Sequence, residues 1–117
     1  MAGERAVAGV FFALGDGTRL NVVKKLGAGQ ALSATALSDG AKVTRQAIVK
    51  HLQVLEGAGL VTHERCGREV LYALETRGLE DARSFIDRIS AVWDRRIERL
   101  RAFVEEPAAP SRRREAR

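Results

Sequence analysis

Cationic and amide side chains recur on one side of a short segment near the middle of the chain. Gln46, Lys50 and Gln53 are spaced by four and then three residues, so on a helix they would share one face. The segment from 40 to 55 contains no acidic residue. Lysine, arginine and glutamine side chains can read base edges in the DNA major groove. This face is therefore a candidate for DNA recognition, and the alternative is an amphipathic helix with a merely solvated polar face.

The opposite side of the same segment is apolar. Its apolar residues follow the i, i+4, i+7 spacing of one helix face: Ile48, Leu52 and Leu55. Thr44 is suited to cap the N-terminus of a helix, and Gly59 is suited to end it in a left-handed turn. We therefore predict a helix over residues 45–58 that packs on a core through one face.

Three further helices are predicted before this one. They cover residues 4–14, a segment that begins at an Asp16 cap and runs to about Leu26, and residues 34–39 behind a Ser33 cap. Residues 30–32 are expected to form a short extended link. A short helix, a tight turn containing glycine and a second helix form a helix-turn-helix unit. The helices near 34–39 and 45–58 are predicted to form this unit.

Over residues 61–74 the side-chain pattern changes to a period of two residues. This period predicts a two-stranded hairpin with Gly67 and Arg68 near its tip. A two-stranded hairpin is marginally stable alone. It is therefore expected to pack beside the helices as the wing of a winged helix. Arg65 and Arg68 would then be available to phosphates or to the minor groove.

Residues 79–105 predict a long final helix. Its apolar residues step by three and four, which is the spacing of a heptad seam: Leu79, Ala82, Ile86, Ile89 and Trp93. At 1.5 Å per residue the helix is about 40 Å long, and a domain of this size offers little core for it to cover. The helix either wraps its own core or, as we favour, forms a homodimer interface together with the first helix. The predicted interface residues are Val7, Phe11, Ile86, Ile89, Trp93 and Leu100.

The charge of the chain is unevenly distributed. The 117 residues carry a net charge of +5, but residues 111–117 hold four Arg and one Glu, net +3, which leaves +2 for the rest. Basic charge is therefore weak support for DNA binding by the folded part. We predict one domain over residues 1–106 and a disordered basic tail over 107–117, where two prolines occur.

Several classes of protein do not fit the sequence. A single cysteine excludes an internal disulfide, and the absence of an apparent signal peptide predicts a cytoplasmic protein. No apolar run approaches the roughly 20 residues of a membrane span, so no membrane partner is expected. No nucleophile with a base, phosphate loop or cofactor motif is visible, so we expect neither an enzyme nor a cofactor.

A metal site is not expected, because the soft ligands are few. They are Cys66, His51 and His63, whereas soft-metal sites need several thiolate or imidazole ligands at suitable spacing. Cys66 is either an ordinary strand residue or a thiol redox sensor whose thiolate is favoured by neighbouring arginines. No motif identifies a small-molecule inducer.

Three stretches together resemble the ArsR-type family of bacterial winged-helix repressors. They are VFFALGDGTRL at 10–20, VTRQAIVKHLQVLEGAGLV at 43–61 and GREVLYAL at 67–74. The pair Trp93 and Asp94 resembles the subgroup that lacks a recognisable metal site. The resemblance implies a homodimeric transcriptional repressor on an imperfect palindrome, with two helices in major grooves about 34 Å apart. The competing class is a winged helix used only for protein contacts.

The resemblance and the helical-face analysis together define the expected DNA contacts. Those implied by the resemblance are Thr44, Arg45, Gln46, Lys50 and His51. The helical face adds Gln53, and Val49 could touch a thymine methyl group. Thr44 and Arg45 could instead hold phosphates, and His51 could simply be packed beside the apolar face.

Overall fold

The computed structural model describes residues 3–104, which contain five helices and three strands. In chain order these are α1 (Glu4–Leu14), α2 (Gly17–Leu26), β1 (Leu32–Ser33), α3 (Ala34–Ser38), α4 (Arg45–Gly57), β2 (Val61–Cys66), β3 (Glu69–Leu74) and α5 (Arg77–Val104). The predicted order of four helices, a hairpin and a long helix is confirmed. The fold is mainly α with a small sheet, as expected.

The sheet has three strands, not the two that the sequence predicted. The order is β1-β3-β2, and β1 pairs antiparallel with β3 through Leu32 opposite Tyr72 and Ser33 opposite Leu71. The expectation of a two-stranded wing beside a simple link over 30–32 was therefore wrong. Two residues are too short to show the alternation that reveals a strand. The extra strand gives backbone partners to an edge that would otherwise be open.

Three helices begin at side-chain caps, as the sequence predicted. In each case a side-chain oxygen accepts a hydrogen bond from the backbone N–H three residues later. The pairs are Asp16 with Arg19 at 3.0 Å, Ser33 with Ala36 at 3.1 Å and Thr44 with Ala47 at 3.1 Å. Such caps satisfy donors that have no partner inside the helix.

The Asp16 cap makes stability depend on pH. The hydrogen bond from the Arg19 N–H lowers the pKa of the Asp16 carboxyl below its ordinary value of 3.8, and the nearby Arg19 charge adds to this effect. Because the folded-state pKa is depressed, the stabilising contribution is fully present above the unfolded pKa. It is lost as the pH falls through the folded pKa.

Replacing Asp16 with asparagine tests this dependence, since asparagine also caps helices but does not titrate. We expect the thermal midpoint of the wild type to exceed that of Asp16→Asn by a constant amount at neutral pH. The difference should shrink as the pH falls from about 5 through the lowered pKa of Asp16. Thermal unfolding followed by circular dichroism across this range measures it, and a difference independent of pH would contradict the assignment.

The inner face of α4 is part of the main core. Ile48, Leu52 and Leu55 are fully buried and belong to one cluster with side chains of α2 and α3. Leu60 and Val61, which follow α4, are buried in the same cluster. The buried stripe predicted for this helix is thus confirmed, and it fixes which side of α4 faces outward.

The hairpin is closed by a two-residue turn. Cys66 lies opposite Glu69 in the register, so Gly67 and Arg68 form the turn, as predicted. Gly67 has φ +66°, whereas no residue other than glycine has a positive φ among the described residues. A positive φ at the first turn position alone is typical of a type II′ turn, which matches the twist of the two strands.

The chain divides into two compact units, Met1–Phe85 and Ile86–Arg117. The first contains α1 to α4, the sheet and the start of α5, and the second contains the rest of α5. The basic tail predicted over 107–117 lies outside the described residues. No single helix within residues 3–104 is long and apolar enough to cross a membrane, and α1 and α2 meet that test only together, across a 95° bend.

Candidate nucleic-acid interface

The outward face of α4 is exposed along its length. The exposed residues include five of the seven predicted DNA contacts in this region: Thr44, Arg45, Gln46, Lys50 and Gln53. The buried stripe on the opposite side holds the helix against the core. The helix therefore presents cationic and amide groups outward from a fixed support.

The other two predicted contacts of α4 are partly covered. Val49 is half-buried and packs in part against the core, so only some of its surface is available. The side chain of His51 is 23% exposed. Its Nδ1 lies 3.2 Å from Nη1 of Arg19, which matches the alternative that His51 is a packed residue.

The neighbours of His51 determine the roles of its ring nitrogens. The Arg19 guanidinium can only donate, so Nδ1 of His51 accepts in this contact and the ring proton is assigned to Nε2. Asp16 Oδ2 lies 4.0 Å from the same Nδ1, which is too long for a hydrogen bond. We therefore assign the Arg19 contact, not the Asp16 pair, as the bond that holds the ring.

Arginines from α4 and the hairpin line one cleft. Its volume is about 730 Å³, and Arg45, Arg65 and Arg68 contribute to its wall together with the single acidic residue Glu69. Its remaining lining residues are Ser33, Ala34, Thr35, Ala36, Val49, Val70 and Tyr72. Three guanidinium groups against one carboxylate make the cleft suited to an anion such as a DNA phosphate. The predicted contacts Gln46, Lys50 and Gln53 are not among its lining residues.

Thr35 is a candidate functional residue that the sequence did not reveal. Nε of Arg45 donates to Oγ1 of Thr35 at 3.2 Å. The bond joins the first helix of the helix-turn-helix to the second and orients the Arg45 guanidinium. No periodicity marks Thr35, because its role depends on the packing of α3 against α4.

The predicted dimer residues fall in both units. In the second unit, Ile86, Ile89, Trp93 and Leu100 of α5 are between 44% and 62% exposed. This degree of exposure is unusual for large apolar side chains that are clustered on one helix.

In the first unit, Phe11 is exposed on α1, and its ring meets that of Phe85 edge-on at 6.0 Å between centroids. Val7 is only 4% exposed within the single chain. It has little surface left to bury against a partner, and its place in the dimer interface stays a prediction.

The remaining soft ligands are dispersed. His63 Nδ1 lies 2.9 Å from both carboxylate oxygens of Glu56, and Cys66 is an exposed free thiol at the end of β2. Within residues 3–104, no group of three or more His, Cys, Asp or Glu side chains is placed to hold a metal ion.

Known proteins share this fold and this sequence pattern. A family model described as a helix-turn-helix domain matches residues 14–64. The HTH-type transcriptional regulator Rv2034 of Mycobacterium tuberculosis is 36% identical over 85 residues, which cover 73% of this chain and 76% of that protein. An ArsR-like transcriptional regulator from Rhodococcus sp. RHA1 is 37% identical with a TM-score of 0.76, over 87% of this chain and 95% of that one.

A solved homodimeric relative is also similar. It is the winged helix-turn-helix DNA-binding domain of a possible ArsR-family regulator from Mycobacterium bovis, which is 26% identical with a TM-score of 0.58, over 85% of this chain and 95% of that one. The fold, the exposed face of α4 and these relatives define a DNA-binding winged-helix transcriptional regulator. The chain belongs to the ArsR family of transcriptional regulators. Its relatives are regulators and not enzymes.

Proposed function

We propose that this regulator is a homodimeric repressor that binds an imperfect palindromic operator with α4 in the major groove. The observation that carries the proposal is the two-sided character of α4. One side is buried in the core, and the other exposes cationic and amide side chains in a stretch, residues 40–55, that lacks acidic residues. Acting on promoter DNA, the protein would work in the cytoplasm.

The side chains of α4 divide into two roles. Gln46, Lys50 and Gln53 share the outward face and would read base edges, for which glutamine and lysine supply suitable donors. Thr44 and Arg45 lie at the N-terminal end of the helix, where phosphates are held by free N–H groups and by arginine. His51 contributes through its packed position, and Val49 offers only its exposed part to a thymine methyl group.

The hairpin would act as a wing that contacts the DNA backbone. Arg65 and Arg68 are exposed there and share a cleft with Arg45 of α4. A phosphate in that cleft would be held from both the helix-turn-helix and the wing. Such contacts fix the register of the protein on the duplex and carry no sequence information themselves.

The exposed apolar side chains of α5 support a dimer. Ile86, Ile89, Trp93 and Leu100 would be covered by a second copy of the chain, and Phe11 of α1 is a further candidate contact. The relative from Mycobacterium bovis is homodimeric, which supports a dimer here. Two copies of α4 related by a twofold axis would reach major grooves about 34 Å apart.

Fluorescence-anisotropy titration tests the proposal. The labelled duplex comes from the region upstream of the protein's own gene, beside a scrambled duplex, at two salt concentrations. Tighter, sequence-selective binding at both salts is expected. Equal, salt-sensitive binding to both duplexes would indicate only backbone attraction. No binding by a folded dimer would favour a winged helix used for protein contacts.

Replacing Trp93 with alanine should loosen the dimer. A large aromatic side chain near the centre of an interface commonly contributes about 2 kcal/mol or more to association. Sedimentation velocity over a concentration series measures the monomer–dimer equilibrium. Arg95→Ala, which alters an exposed residue on the opposite side of the same helix, is the matched control. An equilibrium unchanged in Trp93→Ala would count against the proposed interface.

A further inference from the structure

The side chain of Arg19, on α2, connects two other helices. Its Nε donates to the carbonyl oxygen of Ala13 at 2.7 Å, and Nη2 donates to the carbonyl oxygen of Phe12 at 3.3 Å. Its Nη1 donates to Nδ1 of His51 at 3.2 Å. One guanidinium group therefore links the last turn of α1 to the middle of α4.

The guanidinium is held firmly on the α1 side. The carbonyl groups in the last turn of a helix lack partners inside the helix, and Arg19 supplies donors to two of them. The Phe12 ring lies under the guanidinium, with Cζ 5.4 Å from the ring centroid. The backbone N–H of Arg19 is itself bonded to Asp16. Because the group is planar and rigid, these contacts fix the direction in which Nη1 points.

The place where this link meets α4 is important for DNA recognition. His51 directly follows Lys50, a proposed base contact, and precedes Leu52, which is fully buried. Apolar burial at Leu52 is non-directional, whereas a hydrogen bond weakens steeply when its angle changes. The bond to His51 thus resists rotation of α4 about its axis, which would displace Lys50 and Gln53 together.

We propose that Arg19 is a positioning residue for operator recognition, which fixes the orientation of α4 through His51 without itself touching DNA. The inference rests on the proposed function of α4. It also makes α2 and the end of α1 part of the machinery that sets operator affinity. A change at the end of α1 would reach the DNA-reading face through this side chain, in addition to the apolar contacts that α1 and α4 share in the core.

The first test needs no DNA. The chain has two histidines, so ¹⁵N-edited NMR gives two sets of ring signals, and His51→Asn assigns them. In the wild type we expect the ring proton of His51 to be on Nε2. The ¹⁵N chemical shift of Nδ1 should show that this atom accepts a hydrogen bond. In Arg19→Met the Nδ1 shift should move towards the value of a free imidazole. An unchanged shift would overturn the proposed bond.

The second test measures operator affinity by fluorescence anisotropy in Arg19→Met, His51→Leu and the double variant. Each single variant should bind about tenfold more weakly, and the double variant should be no weaker than either, because both changes remove one coupled contact. The dependence of affinity on salt should be unchanged. Additive losses would show that Arg19 and His51 act independently, and a salt slope reduced by about one would show that Arg19 contacts a phosphate directly. Either result would overturn the positioning role.

Conservative variants and a matched control complete the experiment. His51→Asn keeps an acceptor near the position of Nδ1, so it should retain most of the wild-type affinity. Arg19→Lys keeps the positive charge but loses the branched guanidinium group. This variant should fold and still bind the operator more weakly. Arg5→Met removes an exposed arginine of α1 and should leave affinity unchanged. An equal loss of operator affinity in Arg5→Met and in Arg19→Met would show that only the positive charge matters. That result would overturn the proposal.

The two levels of the argument fail differently. If the wild type does not discriminate the operator from a scrambled duplex, the proposed function fails, and the positioning role in recognition fails with it. If the wild type discriminates, but Arg19→Met and Arg19→Lys bind the operator as tightly as the wild type does, only the positioning role is overturned. Thermal unfolding of each variant confirms that the affinities are those of folded protein.

Discussion

Replacing Gly78 with alanine should destabilise the fold by about 3 kcal/mol, near the upper end of what overpacking usually costs. A Cβ atom at this buried position would lie 2.5 Å from the carbonyl oxygen of Ala58 and 3.0 Å from that of Gly59. These are backbone atoms, which cannot rotate away as a side chain can. The Gly78 N–H also donates to the Gly59 carbonyl oxygen at 2.8 Å, so separating the segments breaks a hydrogen bond.

Gly57→Ala is the matched control for this change. A Cβ at Gly57, the last residue of α4, would meet nothing within 4 Å. Alanine there reduces the conformational entropy of the unfolded chain, so the variant should be neutral or more stable by up to about 1 kcal/mol. Urea denaturation of both variants measures the difference. Equal midpoints would show that α5 can shift away from α4 at little cost.

The caps were predictable because they depend on neighbours in the sequence. Asp16, Ser33 and Thr44 each bond to a backbone N–H three residues later, and this relation can be recognised without knowledge of tertiary structure. The outward face of α4 was predictable for a similar reason. The spacing of its apolar residues determines which side is buried, and hence which side is exposed.

The contacts between helices were not predictable. Arg19 meets His51 across 32 positions, and Arg45 meets Thr35 across ten. No repeat in the sequence relates such pairs, because they arise only when α2, α3 and α4 pack together. The strand Leu32–Ser33 was missed because it pairs with β3 residues that are 38 and 40 positions further along the chain.

The apolar pattern of α1 illustrates a further limit. Val7 and Phe11 share the same helical spacing, and both were predicted as dimer contacts. In the structure Val7 is buried within one chain, whereas Phe11 remains exposed. Periodicity reveals that a face is covered, but it does not reveal whether the covering surface belongs to the same chain or to a partner.

Replacing Lys50 with alanine should weaken operator binding by about 1–3 kcal/mol. Lys50 is exposed near the middle of α4, on the face opposite the buried leucines. Its ammonium group can donate to the O6 and N7 acceptors of guanine in the major groove. Truncation would remove this donor and leave those acceptors without a protein partner. Fluorescence anisotropy on the operator, and on duplexes altered at one base pair at a time, measures the effect.

Lys24→Ala provides the matched control, because it removes the same charge from an exposed position on α2. If Lys50 reads a base, its loss should relax specificity at one operator position and leave the others unchanged, whereas Lys24→Ala should preserve both affinity and specificity. A uniform loss on all sequences, with a salt slope reduced by about one, would instead make Lys50 a phosphate contact. Gln46 and Gln53 would then be the remaining base-reading residues of that face. Equal losses in the two variants would mean that α4 binds through its charge alone, which contradicts its proposed role as the sequence-reading element.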